Sequence, residues 1–254
     1  MPRITLKRLA GACALLLALS LSIAPGALAK GFSANLRVVG ASGKILTEKD
    51  VATATTSVKT SANATCFGDG TGGSGKSVSI KGNTGLGLLA RAAKTTATLR
   101  PLSISDHFDF GLALCGIDHS IAKGESSWYL KINHKALLVS GDAATIHPGD
   151  DVLWALAKTT APSFKYPNEL VLVAPHKAKA GQAFGVRVFS YDEKGKRTPA
   201  AGVKVTGAAA PTSANGKTVL TLKGPRRLGA TKSGEIPAAK VAVCVGGKCP
   251  GGSR

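Results

Sequence analysis

The sequence predicts two successive modules, a small α+β sheet domain followed by an all-β antiparallel sandwich. Three observations point there. Ser127-Trp128-Tyr129-Leu130-Lys131-Ile132-Asn133 alternates apolar Trp128, Leu130 and Ile132 with Tyr129, Lys131 and Asn133, and the alternation resumes at Val152 and Trp154. Upstream, Leu86, Leu89, Ala90 and Ala93 fall on one helical face. Beyond Lys158, short apolar runs recur between turn residues, the pattern of an antiparallel sandwich.

Taken in order, the chain begins as an export signal. Arg3, Lys7 and Arg8 form a basic head, Leu9 to Ile23 an apolar core, and Ala27-Leu28-Ala29 an A-x-A cleavage site, which assigns residues 1–29 to a signal peptide. The core falls short of the ~20 apolar residues a membrane-spanning helix needs. Cys13 lies too early in it to carry a lipid anchor. No later segment is apolar enough to span a bilayer, so the mature chain is expected to be secreted and soluble.

In the first module, residues 33–157, Ala34 to Val39 reads as a strand and Thr53 to Ser61 as extended chain. Asn83 or Thr84 can cap the helix at Thr84–Lys94, although Gly85 and Gly87 weaken it. Phe108, Phe110, Leu112 and Leu114 alternate as one face of a further strand. Asn133-His134 falls at a tight turn after the Trp128 strand, and Pro148-Gly149-Asp150 is turn chemistry before the Trp154 strand. Residues 158–168 contain two prolines among small polar residues and read as a linker. The second module, residues 169–245, offers strands at Leu170–Val173, Phe184–Phe189, Val203–Val205, Lys217–Leu222, Leu228–Thr231 and Val241–Val245. Turns at Ala180-Gly181, Asp192 to Gly195, Asn215-Gly216 and Ser233-Gly234 separate them, and residues 246–254 form a tail.

Loss of the signal peptide leaves Cys66, Cys115, Cys244 and Cys249, an even set suited to an oxidising compartment. Three pairings are possible, and Cys66 with Cys115 and Cys244 with Cys249 keeps each bridge inside one module. A four-cysteine zinc site would want two close pairs, and only Cys244 and Cys249 are close. No metal or cofactor is expected.

Charge is distributed unevenly. The chain holds 33 Lys and Arg against 14 Asp and Glu. From Lys158 onward the net charge is +13, whereas Lys30 to Ala157 carries +3. Outside a cell such a field draws in anionic wall polymers, lipid headgroups or acidic glycans. Aromatic residues are too sparse among these lysines for base stacking, which disfavours nucleic acid.

The helix at Thr84–Lys94, the strand ending Cys115-Gly116-Ile117-Asp118, the Trp128 strand and Gly149-Asp150-Asp151-Val152-Leu153-Trp154 resemble the transcobalamin-like C-terminal domain, a β-grasp-related family of secreted bacterial proteins. The resemblance covers roughly residues 33–157. It implies a β-grasp-like fold, and in transcobalamin the corresponding domain closes over a corrinoid held by a helical barrel; this chain has no segment that could form that barrel. The usual Asn-Gly of the hairpin is Asn133-His134 here. Thr198-Pro199-Ala200-Ala201-Gly202-Val203-Lys204-Val205 and Asn215-Gly216-Lys217-Thr218-Val219 resemble a bacterial immunoglobulin-like repeat, which implies a spacer or adhesive sandwich. The expected fold class is thus an α+β β-grasp-like domain plus an all-β immunoglobulin-like sandwich.

Two motifs suggest other chemistry. Gly70-Thr71-Gly72-Gly73-Ser74-Gly75-Lys76-Ser77 fits the phosphate-cradling G-x-x-x-x-G-K-S, but strand-like Val78-Ser79-Ile80 follows where a helix N-terminus is needed, so it reads as a glycine-rich surface loop and no nucleotide is expected. Asp106-His107 and Asp118-His119 set acid beside base near Ser103 and Ser105, without a nucleophile elbow or paired catalytic carboxylates. The expectation is a secreted, non-enzymatic binding protein with Tyr129, Asn133 and His134 as ligand contacts; a small-ligand carrier, corrinoid among the candidates, and a secreted hydrolase acting through His107 or His119 are the alternatives.

Overall fold

The alternating segment around Trp128 forms a strand, and it pairs as its pattern requires. The computed structural model describes residues 31–159 and 165–251; residues 1–30, with the expected signal peptide, residues 160–164 and residues 252–254 lie outside them. The first module runs β1 (Ser33–Val39), β2 (Ile45–Ala52), β3 (Thr56–Lys59), β4 (Ser77–Ile80), α1 (Gly85–Thr95), β5 (Leu102–Ser105), β6 (Ala113–Ile117), β7 (Ser120–Ile121), β8 (Ser126–Ile132), β9 (Lys135–Ala136) and β10 (Asp151–Lys158). The second runs β11 (Glu169–Val173), β12 (Lys177–Ala178), β13 (Ala183–Tyr191), β14 (Arg197–Pro199), β15 (Lys204–Val205), β16 (Lys217–Thr221), β17 (Arg226–Leu228), β18 (Ala230–Thr231) and β19 (Val241–Val245).

A five-stranded sheet, β2-β1-β10-β8-β9, organises the first module, with β1 and β10 parallel and Trp154 opposite Leu130. Helix α1 covers one face. Its Leu86, Leu89 and Ala93 pack on Leu36, Val38, Leu130, Val152 and Trp154, and the Trp154 indole N–H donates to Gly85 O at 3.1 Å. Thr84 caps the helix by accepting the Gly87 N–H at 3.1 Å. The two glycines that weaken this helix are demanded by packing: a Cβ on Gly85 would lie 2.9 Å from a Leu130 methyl, and one on Gly87 would collide with the Lys81 carbonyl. Asn133 and His134 both have positive φ, 49° and 69°, the type I′ turn that joins β8 to β9.

The α+β β-grasp-like plus immunoglobulin-like assignment is overturned. Among the described residues the structure is 43% strand and 8% helix, with several sheets and one α-helix. The extended chain from Thr53 to Ser61 pairs as the β3-β4 hairpin, and β5-β6-β7 adds a separate sheet, so strands outweigh the single covering helix. The second module divides its strands among a β11-β13-β14 sheet with β16 on β13, a β12-β19-β17 sheet and a β15-β18 pair, around a core of Leu170, Val188, Val203, Leu220, Leu228 and Val243. The strand read across Phe108 to Leu114 is also corrected: Phe108 to Gly111 is a turn, Gly111 has φ 119°, and β6 starts at Ala113. Alternation alone cannot tell a strand from an aromatic-rich turn that ends in a left-handed glycine.

Cys66 pairs with Cys115 and Cys244 with Cys249. No described helix is long and apolar enough to cross a membrane. The described residues form one compact unit, because the face of the central sheet opposite α1 is covered by the second module.

Candidate functional site

Tyr129, Lys131 and Leu153 point away from α1, and their neighbours come from the linker and the second module. Val39, Tyr129, Leu153, Ala155 and Ala157 pack with Ile236 and Tyr166. Tyr129 stacks on Tyr166 with ring centroids 4.1 Å apart. Its hydroxyl has no hydrogen-bond partner, and burial, with Glu193 and other anions nearby, pushes its pKa up. Backbone joins the modules as well, for Ala136 N donates to Glu193 O at 2.9 Å.

Glu169 lies at the centre of this contact, 2% exposed. Arg37 pairs with Glu169 Oε1 and also donates to Pro237 O. His134 Nδ1 sits 3.1 Å from the same carboxylate oxygen while its ring packs on Tyr191 at 4.2 Å. An ionised carboxylate only accepts, so this nitrogen carries the proton. Lys131 Nζ, on a fully buried side chain, lies 3.5 Å from Glu169 Oε2 and donates to the carbonyls of Tyr191 and Asp192 at 3.2 and 3.0 Å. Burial alone would raise the Glu169 pKa, but the His134 hydrogen bond and the Arg37 and Lys131 charges outweigh it and hold the carboxyl below its usual range. Burial lowers the Lys131 pKa, and Glu169 offsets this in part.

A cleft of about 510 Å³ opens beside the cluster, lined by Arg37, His134, Glu169, His176, Arg227 and Lys240 among others. A carboxylate held ionised by surrounding cations is a weak proton acceptor, and the lining carries both signs, Arg37, Lys49, Arg227 and Lys240 against Glu48, Asp151 and Glu169.

The three expected contact residues have separate partners, and each is engaged within the chain. Tyr129 is buried under Tyr166, and His134 reaches Glu169. Asn133 bridges its own turn to the next strand, donating to Asp150 Oδ1 at 2.8 Å and accepting from Asp151 N at 3.0 Å. Sequence reasoning missed Arg37, Lys131, Tyr166 and Glu169. A signal was present: Val152-Leu153-Trp154-Ala155-Leu156-Ala157 is a continuous apolar run, the mark of a strand buried on both faces.

The other motifs resolve locally. Strand β4 follows the glycine-rich loop, and Ser74 donates from both its amide and its hydroxyl to Asp106 at 2.6 Å, which lowers the Asp106 pKa. The loop therefore holds an anion supplied by the chain itself. His107 packs edge-on against Phe108, the exposed His119 pairs with adjacent Asp118, and the Ser105 hydroxyl donates to Thr71 O.

A second feature lies along β13. The four acids of the second module gather where it meets the first. Glu169 is in the buried cluster, Asp192 accepts from the amides of Lys194 and Lys196, Glu193 accepts from Tyr166 N, and Glu235 binds Ser190 and Lys232. Strand β13 starts at Ala183, eight residue steps before Tyr191 and so about 26 Å away at ~3.3 Å per residue. Around that end Lys177, Lys179, Lys223, Arg226 and Lys248 are exposed with no carboxylate from this module among them. Arg187 and Arg197 flank the Phe189 ring at 5.2 and 4.6 Å on the outer face of the sheet. No protein family, curated protein or solved structure matches the chain.

Proposed function

We propose that this is an exported, non-enzymatic binding protein that attaches to an anionic cell-surface polymer through the cationic end of its second module. The first module is locked onto that module by the Glu169 cluster and presents a ligand or partner site at the cleft. The observation that carries this reading is the segregation of charge along β13: every acid of the module is engaged near the first module, and the far end is left to lysine and arginine. Paired cysteines agree with an oxidising compartment. Opposing carboxylates would quench the attraction, and their withdrawal keeps the field at the far end intact.

The test is co-sedimentation of the purified protein with an anionic wall polymer and with a neutral polysaccharide across a salt series. Retention on the anionic polymer is expected to fall at least tenfold between about 0.05 and 0.5 M salt, as screening shortens the reach of the charges. Lys179→Glu with Lys223→Glu is expected to abolish it at low salt with the fold intact. Retention that ignores salt, or equal retention on the neutral polymer, overturns the proposal.

A further inference from the structure

The disulfide between Cys244 and Cys249 contributes little as a staple. It closes a loop of five-residue separation, against 49 for Cys66 and Cys115, so it restricts the unfolded chain far less. The hairpin it spans is already closed by hydrogen bonds in both directions between Val245 and Lys248, with Gly246 and Gly247 at positive φ in the turn. What distinguishes it is its neighbour. His176, exposed on the turn between β11 and β12, holds its Nε2 3.8 Å from Cys244 Sγ, and Cys244 N donates to His176 O at 2.8 Å. The imidazole nitrogen and the two sulfurs all lie within 4.8 Å of one another.

We propose that His176, Cys244 and Cys249 form a redox-gated metal site, closed as the disulfide and, when reduced, a two-thiolate, one-imidazole site for zinc or a similar borderline-soft cation. The spacing Cys-x4-Cys falls within the range of zinc-binding pairs. With Zn–S near ~2.3 Å, tetrahedral geometry places two sulfurs about 3.8 Å apart, a separation that the Gly246-Gly247 turn can allow once the bond opens. The fourth position is left to water or an exogenous ligand. Opening needs a low-molecular-weight thiol as reductant. Its thiolate attacks Cys249 Sγ, the exposed sulfur, the bond to Cys244 breaks, and Cys244 leaves as a thiolate beside His176 and takes up a proton. A second thiol resolves the mixed disulfide, giving two protein thiols and one oxidised reductant. Metal binding then displaces both thiol protons.

The experiment uses the purified protein reduced under conditions that leave Cys66 and Cys115 paired, verified by mass after alkylation. The reduced chain is expected to bind one equivalent of Zn²⁺ with release of two protons, and to give thiolate-to-metal charge-transfer absorption with Co²⁺. The oxidised chain should bind none. His176→Ala should weaken Zn²⁺ at least tenfold, and Cys244→Ser with Cys249→Ser should abolish binding while the fold persists. The proposal is overturned if the reduced, folded chain retains no Zn²⁺, if His176→Ala binds as tightly as the parent, or if opening this bridge alone unfolds the protein.

Discussion

The two faces of the central sheet are built from the same strands and buried by opposite means. On the α1 side, Leu130, Val152 and Trp154 meet leucines and alanines of a helix a short way back in the chain. On the other side, Tyr129, Lys131 and Leu153 meet Tyr166 of the linker and Glu169 and Ile236 beyond it. The first face is sealed by apolar area. The second combines apolar contact with a charge cluster in which one carboxylate answers Arg37, Lys131 and the His134 hydrogen bond. Polar residues on one face of a strand therefore do not make that face open: whether it is open depends on whether another part of the chain carries the complementary charge.

The largest effect should come from the helix side. Trp154→Ala removes a side chain that is 4% exposed and its bond to Gly85 O, and a cavity this close to two tight glycine contacts has little room to collapse. The expected loss is about 4 kcal/mol of unfolding free energy, measured by denaturant titration. A loss below about 1 kcal/mol would mean that α1 is not a closed cover.

On the opposite face, Glu169→Gln leaves Arg37 and Lys131 buried without their anion, with an expected cost of roughly 3 kcal/mol. The pH dependence identifies the cause. The folded Glu169 pKa lies below its ordinary value, so its contribution is complete above the unfolded carboxylate pKa of ~4.3 and is lost as pH falls through the depressed folded value. The gap between parent and variant should be flat from pH 7 to about 5 and close under acid conditions. A gap that persists unchanged into acid would assign the cost to packing instead.

These two faces also show how far the sequence could be read. Helix α1 and its Thr84 cap, the β8 and β10 strands, the Asn133-His134 turn and both cysteine pairings were legible because each rests on local chemistry: periodicity, a hydroxyl at a helix start, turn residues and loop closure. The charge cluster was not. Arg37 and Glu169 are 132 residues apart, and neither carries a local mark of burial. The second covered face was legible in principle from Leu153, Ala155 and Ala157, but matching only Val152 and Trp154 to the alternation left half of that run unused. The Phe108 to Leu114 alternation failed in the opposite sense, since the left-handed Gly111 turns the chain within the apparent strand.

The smallest effect, and the sharpest test of the contrast, is Lys131→Met. On an apolar face, replacing a fully buried side chain would be costly; here the charge itself carries a burial cost, as its lowered pKa shows. Methionine keeps most of the volume and removes one cation from a cluster in which Arg37 still faces Glu169. Against this, the Tyr191 and Asp192 carbonyls lose their shared donor. These terms oppose, and the expected change is within about 1 kcal/mol of zero. The sign can be checked on the alkaline side. A lysine whose folded pKa is depressed binds fewer protons folded than unfolded as pH rises past the folded value, so the parent gains stability there up to the ordinary lysine pKa, and the methionine variant lacks that rise. A loss on Lys131→Met as large as that on Glu169→Gln would show that the cluster holds the modules together through Lys131 as much as through Glu169, and that the two faces are closed by more similar means than their composition implies.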